Sequence, residues 1–191
     1  MMHAFERQCC TSIAIFEAEE VDLLTSLLSQ LIELLGCQTQ VVTKSSCDDD
    51  PLSRLEAEMG YGATFIPDRS DPVIDRLFPH AYHDEGSDEE FHRYTAIGQC
   101  EDKIASARKV LKDLESCRGG GECRICDSHL WAWLKTLTNL RLALGVRLNI
   151  TGEECDHEDL DESDPRFFAL SIYEWLGWVQ ESLVAVADDS Q

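Results

Sequence analysis

The chain has 191 residues, 43% of them hydrophobic, and its 37 acidic and 16 basic side chains leave a net charge of −21. That length and apolar content support one globular domain with a real core and exclude a disordered chain. The negative field repels phosphate backbones and anionic lipid and favours basic protein surfaces.

No uncharged stretch approaches the roughly 18 residues of a membrane span. The opening "MMHAFERQ" lacks the basic region and apolar run of a secretory leader, so a cytoplasmic location is expected. Nine cysteines cannot all pair within the chain. In a cytoplasmic protein such thiols stay reduced unless they bind metal or take part in redox chemistry.

Residues 9–16, "CCTSIAIF", read as a short strand before the first helix. From Ala18 to Leu35 the apolar stripe Leu24, Leu27, Leu28, Leu31 and Leu35 predicts a helix, with Gly36 as its stop. Asp50 and Pro51 predict a short helix through Met59. Asp71-Pro72 opens another, "VIDRLF", closed by Pro79. The acidic stretch "DEGSDEE" leads into a long helix from about Glu89 to Ser116, whose seam is Ile97, Cys100, Ile104, Ala107, Leu111 and Leu114. That seam makes Cys100 a core residue.

Gly119 to Gly121 end the long helix and allow a sharp reversal into "ECRIC", the other strand candidate. Asp127 or Ser128 is expected to cap a helix to about Asn149. An acidic loop follows, with eight carboxylates between Glu153 and Asp164. Asp164-Pro165 starts the last helix. The predicted architecture is mainly α, a single helical domain of about six helices with a two-stranded element pairing residues 11–16 with 122–126. Its parts are a strand or arm (1–16), helices (17–116), a cysteine- and glycine-rich hinge (117–127) and an aromatic helix pair (128–191) with its acidic loop (151–164).

The hinge concentrates the chemistry. In a redox reading, Cys123 and Cys126 stand before a helix N-terminus, whose partial positive charge lowers a thiol pKa. Arg118 and Arg124 act the same way, and Glu122 and Asp127 oppose them. If "CRIC" is a turn, the pair can close on itself. If it is a strand, its ends point to opposite faces about 10 Å apart, beyond the roughly 7 Å a disulfide allows. Cys117, or Cys9 or Cys10 across the sheet, are then the better partners. In a metal reading, Cys117, Cys123, Cys126 and His129 offer a zinc four ligands. An iron–sulfur site would need Cys155 as a further thiol. His80, His83 and His92 near the acidic stretch are candidates for a divalent ion.

Lys103, Arg108, Lys109 and Lys112 gather basic charge on the long helix and are candidates for docking a partner. Arg141 interrupts the seam Leu130, Leu134, Leu137, Leu144 and Leu148. Either it pairs with Glu174 or Glu181 in the core, or it docks a partner. "GYGATF" lacks the lysine and hydroxyl residue of a phosphate loop, and no catalytic arrangement of serine, histidine and aspartate can be read. The expectation is a protein that is not an enzyme and needs no cofactor, with zinc as the alternative.

The segments "DPVIDRLFPHAY" (71–82), "NLRLALGVRL" (139–148) and "YEWLGWVQESLV" (173–184), in that order, resemble the actinobacterial AosR-like family, long catalogued as a domain of unknown function. The resemblance runs from about Thr11 to the end. It implies a cytoplasmic regulator of the oxidative stress response that acts in transcription through thiol–disulfide change and association with a sigma factor, DNA contact being secondary. Oxidation would then tie the 117–126 hinge to itself or to the N-terminal strand and alter a binding face. The alternative is a small zinc-binding interaction module without redox sensing.

Overall fold

The computed structural model describes residues 3–8, 11–38, 67–150 and 164–188. In chain order these form β1 (His3–Gln8), β2 (Thr11–Phe16), α1 (Ala18–Gln38), α2 (Pro72–Leu77), α3 (Glu85–Glu115), β3 (Gly121–Cys126), α4 (Asp127–Arg147) and α5 (Pro165–Asp188). Five helices and one small sheet match the mainly α expectation. The expected helix at 51–59 lies outside the described residues, as does the acidic loop up to residue 163.

The predicted pairing of 11–16 with 122–126 is present and antiparallel, with Thr11 opposite Cys126, Ala14 opposite Cys123 and Phe16 opposite Gly121. The sheet, however, has three strands in the order β1-β2-β3. β1 escapes a pattern reading because it buries only Phe5. One inward aromatic on an irregular edge strand leaves almost no alternation to detect. Phe5 packs edge-on against Phe16 of β2 and Trp133 of α4.

The helices bury the stripes their spacing implies. In α1, Val21, Leu24, Leu28, Leu31 and Leu35 are buried at alternating steps of three and four. Gly36 does not stop this helix, which runs on to Gln38. Glycine in a helix costs only about 1 kcal/mol. In α3, Cys100 is fully buried, as expected, and its thiol donates to the Leu35 carbonyl of α1.

α3 begins four residues earlier than the apolar seam suggests. Asp84 caps it by accepting from the Ser87 amide at 3.0 Å, and the acidic residues become its first turns. Carboxylates suit a helix N-terminus because of the unpaired amides there. At α4 the expected cap is corrected. Cys126 occupies the N-cap without a side-chain bond, and Asp127, the first helical residue, pairs with Arg7 of β1 at 3.0 Å.

The segment before α3 is held by Asp88. This carboxylate, 4% exposed, takes a bond from Arg69 at 3.0 Å, faces His80 Nδ1 at 2.7 Å, and accepts from the amides of Ala81 and Tyr82. His92 lies 3.5 Å away and is itself buried. Burial pushes the Asp88 carboxyl up, but the Ala81 amide, His80, the Tyr82 amide and His92 outweigh it and bring it down to about 2. A carboxylate with a depressed folded pKa stabilises the fold fully above its unfolded value of 3.8, and that support is lost as pH falls toward 2. Asp88→Asn is therefore expected to lower the thermal midpoint at neutral pH and to flatten its fall between pH 4 and 2. Melting curves across that window check it. An unchanged acid dependence in the variant would remove Asp88 from the account.

Candidate redox and docking sites

"CRIC" is a strand, which decides the first alternative. Cys123 and Ile125 point into the core at 0% exposure, while Arg124 and Cys126 point out. Cys123 and Cys126 thus lie on opposite faces and cannot bond to each other without rearrangement. Cys117 is buried instead, at 4% exposure, in the turn after α3. Its thiol donates to the Leu114 carbonyl at 3.4 Å, and the Cys123 thiol reaches the Asp113 carbonyl at 3.9 Å. The two thiols thus bond to adjacent carbonyls of one helical turn, each lies in the other's electrostatic surroundings, and both are free.

The connection is short because three glycines make it. Gly119, Gly120 and Gly121 have φ values of 92°, 90° and 117°. That region favours glycine. The turn swings β3 back beside the last turn of α3 and brings Cys123 to Cys117.

The expected activation by a helix N-terminus does not govern this pair. Burial pushes the Cys117 thiol up, opposed by hydrogen bonds. Burial pushes the Cys123 thiol up strongly, and the neighbouring Cys117 and Asp113 add to it. An apolar site disfavours the thiolate. Cys126 is exposed, with its sulfur 3.0 Å from Ser128 Oγ. Cys9, Cys10 and Cys155 lie outside the described residues.

Asp113 is the residue that sequence reasoning missed. Its carboxylate meets His129 Nδ1 at 2.9 and 3.0 Å and accepts the Trp133 indole N–H at 2.9 Å. One side chain of α3 thus ties two polar groups of α4 beside the thiol pair. The available signal was the spacing of His129 and Trp133, four apart on one helix face. Asp113 itself looks like any other acid in an acidic chain.

This arrangement also redistributes the proposed metal ligands. His129 is engaged by Asp113, and Cys126 faces away from Cys117 and Cys123. Among the described residues no three histidine, cysteine or acidic side chains are grouped as a metal ion would need. His80 and His92 converge on Asp88 rather than on one another's open nitrogens.

The docking candidates separate. Arg108, Lys109 and Lys112 are exposed on α3. Lys103 is half-buried over the Phe78 ring at 5.4 Å, and burial pushes its pKa down. Arg141 pairs with neither Glu174 nor Glu181. Its guanidinium instead bonds Gln180 Oε1 at 3.1 Å, reaches Tyr173 Oη at 3.5 Å and stacks over the Tyr173 ring at 5.0 Å. The guanidinium also packs beside Gly177, where an added Cβ would lie 3.5 Å from it, an ordinary contact.

The aromatic pair of helices is less buried than its composition suggests. Trp133 is fully buried, whereas Trp131 and Phe168 are 71% and 69% exposed and Phe167 and Trp178 are exposed as well. Among the described residues no helix is long and apolar enough to cross a membrane.

Relatives give the fold a family. The chain is 27% identical over 183 residues to proteins named oxidative stress regulator AosR from Mycobacterium bovis and Mycobacterium tuberculosis. Those alignments cover 87% of this chain and 78% of each relative. No solved structure matches. The model of the family described as a domain of unknown function, DUF2017, matches residues 2–187, and the chain belongs to that family.

Proposed function

We propose that this chain is a redox-responsive regulatory protein of the oxidative stress response, cytoplasmic and not an enzyme, which changes state by thiol–disulfide exchange and docks to a basic protein surface such as a sigma factor. The observation that carries the reading is the pair of buried free thiols, Cys117 and Cys123, bonded to the adjacent carbonyls of Leu114 and Asp113 at the joint of α3 and β3. The names of the relatives support the stress-response part. The net charge of −21 supports a basic partner and makes DNA contact secondary. The acidic faces meet that surface, and Lys103, Arg108, Lys109 and Lys112, with Arg141, are the docking side chains we assign to acidic groups of the partner or to the secondary DNA contact.

The chemistry needs a two-electron oxidant such as hydrogen peroxide. One thiolate attacks a peroxide oxygen, forms a sulfenic acid and releases hydroxide, which takes up a proton to give water. The second thiol then attacks that sulfur, forms the disulfide and expels a second water. Because burial holds both thiols protonated, reaction waits on opening of the Gly119–Gly121 turn. Closure draws β3 against the last turn of α3, where Asp113 holds His129 and Trp133, so the change passes to α4. Cys126, exposed on the outer face, is a further thiol in this reading, and Cys9 and Cys10 remain candidates with it.

Thiol mapping by mass spectrometry after mild peroxide is expected to find a Cys117–Cys123 disulfide, with Trp133 emission shifting in step. Cys123→Ser should abolish both while leaving the fold intact. Random oxidation, or a disulfide that spares both residues, would overturn the assignment.

A further inference from the structure

The C-terminal half of α4 carries a second feature, separate from the thiols. A cleft of about 210 Å3 opens between α2, α4 and α5, walled by Arg76, Arg141, Thr138, Gly145, Tyr173 and Gln180 among others. In a chain with 37 acidic side chains, the described residues of this wall include two arginines and no carboxylate. Neither arginine has an ion-pair partner among the described residues, and the buried Arg141 Nε has no hydrogen-bond acceptor.

A half-buried guanidinium without an anion is costly, since its donors have left water without full replacement. What holds Arg141 is neutral. Gln180 gives it an oxygen and turns its amide to Thr138 Oγ1 at 3.0 Å, while Tyr173 supplies a ring face. This fixes the guanidinium plane but brings no compensating charge from the described residues. Arg76, at the end of α2, is exposed and faces the same space. Two arginines that converge on one opening present the planar forked donors that recognise oxyanions in bidentate fashion.

We infer that the Arg76–Arg141 cleft is a binding site for a single oxyanion group, a carboxylate or phosphate on a small ligand. The volume sets the size. It is below the roughly 300 Å3 at which drug-sized pockets begin, so it admits one charged group and a few further atoms. The surrounding charge of −21 disfavours a polyanion, which would meet repulsion outside the two-arginine mouth. The site lies about 12 Å along α4 from Trp133 and stands independently of the thiol chemistry.

The test is NMR titration of the full chain with inorganic phosphate and, separately, with succinate, at an ionic strength held constant with chloride. The expected result is saturable movement of the Arg141 Nε–H signal with the Thr138 and Gly145 amides. Arg76→Gln, at an exposed position, should weaken that binding by about tenfold or more. Arg141→Lys should weaken it while keeping the fold, because an ammonium keeps the charge but loses the fork.

The acidic residues that follow Ile150 in the sequence are another source of the same carboxylate chemistry. A variant with those side chains between Glu153 and Asp164 changed to their amides separates the two. Tighter phosphate binding in that variant means that the chain's own carboxylates compete for the arginines, and unchanged binding means a diffusible ligand. Either outcome supports the oxyanion site. Absence of saturable binding in both proteins, or binding equal in wild type and Arg76→Gln, overturns it.

Discussion

Trp133→Ala is expected to cost about 3–5 kcal/mol of stability, the range for emptying a large aromatic site. Trp133 is fully buried, sits edge-on to Phe5 at 5.9 Å, and stacks with Phe16 at 6.4 Å. Its indole N–H also anchors Asp113, so one side chain joins the sheet, α3 and α4. Against a usual domain stability of about 5–15 kcal/mol, that loss leaves little margin. Urea unfolding with an unchanged m-value measures it. Trp133→Phe keeps one aromatic ring but removes the N–H and the second ring, and should cost about 1–3 kcal/mol. A phenylalanine variant as unstable as the alanine variant would show that the hydrogen bond, not the packing, holds this centre.

Gly120→Ala should be nearly as damaging, for a different reason. Gly119 and Gly120 share almost the same left-handed backbone, at φ 92° and 90°. Each therefore carries a conformational cost of about 1–2 kcal/mol on substitution. They differ in space. A methyl group at Gly119 meets nothing within 4 Å, whereas one at Gly120 lies 2.9 Å from the Ala18 amide nitrogen and 3.3 Å from the Phe16 carbonyl. Those atoms belong to the junction where β2 enters α1, and main chain cannot swing aside as a side chain can. The clash adds about 1–3 kcal/mol. The comparison of Gly119→Ala with Gly120→Ala by denaturant midpoint isolates that part, and equal costs would refute the close approach. Because the same turn brings Cys123 to Cys117, Gly120→Ala should also slow formation of their disulfide.

The two predictions mark where sequence reading succeeds and where it stops. The glycine run was legible as a sharp reversal because three adjacent glycines have few other uses in an ordered chain. The pairing of 11–16 with 122–126 was legible because they were the only strand-like runs and strands need partners. β1 was not, since a strand with one inward side chain leaves too little alternation. The start of α3 was placed late because its first turns are acidic and carry no apolar period.

The candidate site divides in the same manner. The cysteine-dense segment stood out, and the condition that a strand would send its thiols to Cys117, or to Cys9 or Cys10, followed from strand geometry. Which condition held depended on β2, far away in sequence, offering a register to β3. Asp113 was invisible because its importance lies in what crosses it. The expected acidic partner for Arg141 failed because the α4–α5 crossing puts Gln180 and Tyr173, not Glu174 or Glu181, against the guanidinium.

By itself, then, the sequence determined the helical class, the stripes each helix buries, the β2–β3 pairing and the cysteine-rich reversal, because periodicity and backbone preference are local properties. The tertiary structure alone decided that Cys117 and Cys123 are neighbours, that Asp113 binds α3 to α4, that several aromatics stay outside, and that two arginines share a cleft that has no carboxylate among the described residues. Those outcomes depend on the angles at which elements remote in sequence cross, and no local pattern encodes them.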